Sequence, residues 1–158
     1  MNRSVLLLIF SCAVITGCGG TPDAEGPTYE SVGFELVGFG RDAHVEALTE
    51  TRLQTEDDWQ HYAGRLTPLG ELQDVDLGER DVLLIAVPVS SGGYDLSVED
   101  VVRSDDEIVA RYLVEAPGDD CFVAQVMPTP FVAVAIPASD LPVRFEQRTA
   151  QYSCGVRQ

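Results

Sequence analysis

A chain of 158 residues has room for one domain with a substantial core. Its formal net charge of −16 argues against a nucleic-acid partner, since such a surface repels phosphate backbones. All ten basic residues are arginines, and none forms a basic run that would hold an anionic membrane.

The chain opens with a short basic start at Asn2 and Arg3, an apolar run over residues 5–10, and the close Ile15-Thr16-Gly17-Cys18. The run is shorter than the roughly 20 apolar residues a permanent membrane helix needs. Basic start, apolar middle and small residues before a cut are the layout of an export signal. The close resembles a bacterial lipobox, in which cleavage precedes the cysteine and its thiol takes up lipid. Residues 1–17 are therefore expected to be a lipoprotein signal peptide and Cys18 the lipidated residue. More than one acyl chain on that cysteine would give stable membrane attachment. An ordinary secretory signal is the plainer alternative. Residues 18–30, small, polar and punctuated by Gly and Pro, read as a flexible tether, and residues 31–158 as a single globular domain. The absence of Asp at position 19 favours the outer membrane if the source is Gram-negative.

Residues 32–39 read as a first strand, with Phe34, Leu36 and Gly38 on one face and Glu35 and Val37 on the other. Thr55-Glu56-Asp57-Asp58 has the form of a helix start, with Thr55 as cap and acids at the positive end of the helix dipole. Trp59, Tyr62, Ala63 and Leu66 follow at helical spacing, and Pro68 and Gly70 should end the helix. Residues 82–87 are six consecutive apolar residues, as expected of a central strand covered on both faces. Tyr94, Leu96 and Val98 alternate with polar residues, and so do Ile108, Ala110, Tyr112 and Val114 beyond the turn Ser104-Asp105-Asp106-Glu107. These two make a hairpin. Pro117-Gly118-Asp119-Asp120 is another turn, residues 121–127 and 131–136 are two more strands, and residues 143–147 supply a last edge strand. The fold class is α+β or mainly β: a largely antiparallel sheet or small sandwich of about six or seven strands with one packed helix.

Cys12 falls within the signal and Cys18 is assigned to lipid, which leaves Cys121 and Cys154 to form one disulfide. It would close a loop of about 34 residues and contribute on the order of 3–4 kcal/mol by chain entropy. The alternative, a metal pair, lacks a nearby Cys or His at ligand spacing. His44 and His61 also stand apart from other ligand types, so neither a metal nor any other cofactor is expected. The acidic runs Asp105-Asp106-Glu107 and Asp119-Asp120 lack the spaced ligands of a calcium loop and read as solvated turns. A Ser–His–Asp set can be assembled on paper from Ser90 or Ser91 and His61. With 26 acids available that match carries little information. No nucleophile elbow or phosphate loop is present, and no catalytic residue is assigned.

The segment Ser90-Ser91-Gly92-Gly93-Tyr94 stands out. Adjacent glycines open backbone conformations closed to other residues and let another chain approach closely. The plainer reading is a tight turn with Tyr94 in the core.

Asp74-Val75-Asp76-Leu77, the strand 82–87, Ser90-Ser91-Gly92-Gly93-Tyr94, the Pro117-Gly118 turn, Gln125 and Pro130-Phe131 together resemble the C-terminal domain of the protease complex subunit PrcB family. The resemblance covers about residues 73–137, and Gly-Gly-Tyr and Pro-Phe are its strongest parts. Val89-Ser90-Ser91 replaces the Arg-Pro-Thr or similar that commonly precedes Gly-Gly-Tyr in the family, and the two late cysteines look like a local addition. The resemblance implies an exported lipoprotein associated with a secreted protease complex, and no catalytic residues to carry over. The expected activity is therefore that of an extracytoplasmic, membrane-anchored protein-binding module rather than an enzyme. Gly92, Gly93, Tyr94, Pro130 and Phe131 are the expected contact residues, with an exposed strand edge as a further acceptor. A protease inhibitor using the same loops is the alternative, followed by an enzyme or a purely structural envelope protein.

Overall fold

The computed structural model describes residues 26–155. Cys12, Cys18, the expected signal peptide and most of the expected tether lie outside these residues. Within them the chain is mostly strand, with nine strands in two sheets and one short helix, a small sandwich as the alternation predicted. The strands are β1 (Glu30–Ser31), β2 (Glu35–Ala43), β3 (Thr49–Leu53), β4 (Leu66–Pro68), β5 (Arg80–Ala86), β6 (Asp95–Arg103), β7 (Ile108–Pro117), β8 (Phe131–Pro137) and β9 (Val143–Tyr152). The helix is α1 (Glu56–Ala63). One sheet has the order β1-β6-β7-β9 and the other β3-β5-β8-β2-β4.

The apolar run in β5 explains the layering. Leu83 and Ile85 face the first sheet, where they pack with Val132, Val134 and Ile136 of β8 and Val101, Ala110 and Tyr112 of the β6–β7 hairpin. Val82, Leu84 and Ala86 face the other way, into a second cluster with Phe131, Ala133 and Ala135 of β8, Leu53, Trp59 and Leu66. The second sheet is thus buried on both sides, between the first sheet and the helix layer. That is the condition under which a strand reads as continuously apolar. β7 and β9 pair in parallel because β8, in the opposite sheet, provides the crossover between them.

Thr55 caps α1 as expected, its Oγ1 accepting from the Asp58 N–H at 3.2 Å. The helix stops earlier than expected. Gly64 ends it, and Leu66 is buried from strand β4, not from the helix. In β2 the expected faces are exchanged: Val37 is 2 % exposed while Leu36 is 43 % and Phe34 38 % exposed. A register shift between Leu36 and Gly38 inserts one extra residue, which reverses the side-chain alternation on the N-terminal side. Gly40 lies just beyond the shift, where the Thr67 carbonyl and the Phe131 ring occupy the space a β-carbon would need. β9 is an edge strand, as expected, but runs on to Tyr152.

Residues 121–127 do not form the expected strand. Beyond β5 and β8 the antiparallel pairing thins to Val87 N–H to the Pro130 carbonyl, Val89 N–H to the Pro128 carbonyl, and Gly92 N–H to the Ala124 carbonyl. Pro128 and Pro130 have no N–H to return, so the first two of these rungs have one bond where a strand would have two.

Two polar links brace the sandwich, one within the second sheet and one between the sheets. Arg52 on β3 donates to Asp81 on β5 at 2.6 Å, and Asp81, 2 % exposed, also accepts from the Ser139 N–H at 3.1 Å. Tyr112 of the first sheet donates to Glu50 of the second at 2.5 Å. Burial, reinforced by Glu50, raises the Tyr112 phenol well above its ordinary range and keeps it protonated as that donor.

Candidate functional site

The Gly-Gly-Tyr turn connects β5 to β6. Gly93 has φ +92°, a conformation side chains avoid, and a β-carbon there would stand 2.6 Å from Cγ1 of Val123. The Gly92 N–H donates to the Ala124 carbonyl at 2.8 Å, and the Tyr152 hydroxyl donates to the Gly93 carbonyl at 2.7 Å. The close backbone approach that these glycines permit is therefore made by the chain's own residues 123–124. Tyr94 is half-buried and packs against the inter-sheet cluster.

Around this turn lies a groove of about 660 Å³. Gly92, Gly93 and Tyr94 form one wall, residues 122–128 another, and Tyr152 and Cys154 close the end, with Arg41, Asp42 and Pro130 completing the lining. The structure thus brings four of the expected contact residues together: Gly92, Gly93, Tyr94 and Pro130. Phe131 is a correction. It is 1 % exposed within the helix-side cluster, so its ring is committed to the core and offers no surface to a partner.

The apolar surface at the groove comes from side chains that sequence reasoning had placed in a strand. Phe122 is fully exposed at 109 % and Met127 at 85 %, with Val126 beside them half-exposed. Large apolar side chains held in water next to a groove mark an interaction surface more often than chance exposure. The signal available in the sequence was the Pro128-Thr129-Pro130 break, which removes the donors needed to pair this stretch.

The expected disulfide joins Cys121 to Cys154, with Cα atoms 5.0 Å apart, and ties the start of this segment to the residues after β9. Asp120 reinforces the tie by accepting from the Ser153 hydroxyl at 2.6 Å and from the Gly155 N–H at 2.6 Å. Those hydrogen bonds, Ser153 foremost, hold its carboxyl below the usual range.

Charge is unevenly placed. Arg52, Arg80, Arg103, Arg111, Arg144 and Arg148 are all in salt bridges, and none of them lines the groove. Asp42 and Arg41 are the charged residues of the groove lining, and neither is in a salt bridge among the described residues. The acidic turn at 105–107 has another use: Glu107 accepts from Arg144 and from the Tyr29 hydroxyl. His44 and His61 are exposed, His61 standing edge-on to Tyr62 with ring centres 5.2 Å apart. Among the described residues no three His, Cys, Asp or Glu are placed to hold a metal.

No curated protein and no solved structure matches the chain significantly. A family model does match, over a shorter span than the resemblance first suggested: it begins within β5, so Asp74-Val75-Asp76-Leu77 falls outside it. It takes in the Gly-Gly-Tyr turn, the β6–β7 hairpin, Cys121, the exposed apolar segment and β8, and it leaves out Cys154 and β9. Residues 85–137, which supply most of the groove wall, match the PrcB C-terminal family.

Proposed function

We propose that this is an extracytoplasmic lipoprotein, anchored through Cys18, whose domain binds a partner protein as an accessory or assembly subunit of an exported protease complex. The observation that carries the reading is the groove beside the Gly-Gly-Tyr turn, rimmed by Phe122, Val126 and Met127 in water. The match to the PrcB C-terminal family supports a protease complex as the setting. The lipobox-like close at Cys18 supports the anchor, in the outer membrane if the cell is Gram-negative. Polar residues at exposed positions of the groove would leave the fold alone and remove the contact. In detergent-solubilised membranes, Phe122→Asp with Met127→Asp should lose the co-purifying partner while the mass of the acylated N-terminus stays unchanged. An unchanged set of partners would sink the reading.

One observation favours a second reading, protease inhibition: the exposed segment is stapled by a disulfide at its base, as a loop that plugs a cleft must be held. Turnover separates the two. An inhibitor lowers the partner's activity, whereas an assembly subunit leaves it unchanged or raises it.

A further inference from the structure

We propose that residues 122–127 are an unpaired strand, completed by an extended segment of the partner that carries alternating apolar and basic side chains. The proposal rests on the protein-binding reading above and specifies how the groove is used.

The segment is apolar at five of its six positions, the composition of a strand, and it follows β5's extension toward the Gly-Gly-Tyr turn. Its backbone is nearly unused. From Phe122 to Met127 the Ala124 carbonyl alone has a backbone partner among the described residues. Unpaired donors and acceptors beside exposed apolar side chains are the features of a sheet edge that accepts a strand. The disulfide at Cys121 and the proline-bounded rungs at Pro128 and Pro130 hold both ends. Little ordering entropy therefore remains to be lost on binding.

The longest edge strand of the two sheets, β9, is a poorer acceptor. It carries Arg144, Glu146 and Arg148, all engaged in salt bridges across the first sheet, and offers no comparable apolar surface. Charge sets the partner's chemistry. The groove lining holds one acid, Asp42, and one base, Arg41, in a chain of net charge −16, so lysine or arginine should flank the apolar residues that enter it.

The test uses the full-length, disulfide-intact protein in detergent and a blocked octapeptide alternating Lys or Arg with Val or Leu. Binding is read by fluorescence anisotropy and by amide exchange. The peptide should bind, weaken as salt rises, and protect the amides of residues 122–127. Replacing its basic residues with Glu should cost at least about 10-fold in affinity. Two isomers, N-methylated either at the apolar or at the basic positions, block one backbone edge each. One should lose at least about 10-fold and the other should keep its affinity. Val126→Pro, at an exposed position, should lose binding by a similar factor while circular dichroism shows the fold intact.

Equal affinity of the two isomers, or protection along β9 instead of 122–127, overturns the pairing. If the octapeptide fails to bind while the Phe122 and Met127 substitutions still strip a partner from membranes, strand completion falls and the binding module stands. If both experiments fail, both readings fall.

Discussion

Glu107 shows how much one side chain can hold in place. It sits in the turn between β6 and β7, accepts from Arg144 of β9 at 2.9 Å and takes the Tyr29 hydroxyl at 3.0 Å, where the chain enters the domain. The Arg144 hydrogen bonds first, and Tyr29 second, hold its carboxyl below the usual glutamate range. Glu146, bridging Arg144 and Arg111, is lowered for the same reason. A carboxylate whose folded pKa is depressed stabilises the fold above its unfolded pKa. That contribution is lost as pH falls through the folded value. Acidification also relieves self-repulsion in a chain of net charge −16, so the raw stability profile mixes two opposed effects. The difference between wild type and Glu107→Gln separates them. The variant should melt below wild type at pH 7, and the gap should narrow as pH drops below the ordinary glutamate range. A gap independent of pH in thermal melts would mean that the Arg144 and Tyr29 contacts do not depend on the charge of Glu107.

At the level of elements, the disulfide and the segment it anchors behave as a unit apart from the sandwich. Cys121 and Cys154 are 33 residues apart in sequence and enclose β8 and β9. Replacing both by Ser should cost about 3–4 kcal/mol on the chain-entropy estimate. In urea titrations this is expected as a lower midpoint with the cooperative transition retained, because both apolar clusters are independent of the bridge. An unchanged midpoint would show that the turn bonds of Asp120 already confine the segment. The same elements show what the sequence could reveal. β5, β8 and the β6–β7 hairpin were legible because burial imposes its period on side chains. β3 was not, since its outward positions are polar and Leu53 is its one buried residue. The strand expected at 121–127 failed because an apolar run reports side chains, whereas pairing needs donors that Pro128 and Pro130 lack. β2 was found but turned over, since an extra residue at its register shift is invisible to periodicity. The Gly-Gly-Tyr turn was legible as a landmark. Its clasp by Val123, Ala124 and Tyr152 was not, because these residues lie far along the chain and meet the turn through tertiary packing alone.

For the whole molecule, the strands join two ends with different characters. β1 pairs with β6 at Arg103 and Val102, and Pro27 and Thr28 lie beside Ser104, Asp105 and Asp106, so the described chain enters at the β6–β7 turn. The Gly-Gly-Tyr turn precedes Asp95, at the other end of β6. Nine residues of strand put about 26 Å between the two ends at the usual rise. If Cys18 carries the anchor, the β6–β7 turn should face the bilayer and the groove should face away from it. The arrangement suits a docking module, whose contact surface has to clear the lipid headgroups to meet a partner. It predicts a gradient in depth. With the acylated protein on vesicles containing a lipid-borne quencher, a fluorophore at Asp105→Cys should be quenched strongly and one at Met127→Cys weakly. Equal quenching at both positions would mean that the domain lies on its side or tumbles freely, and the polarity of the groove would then contribute nothing to partner capture.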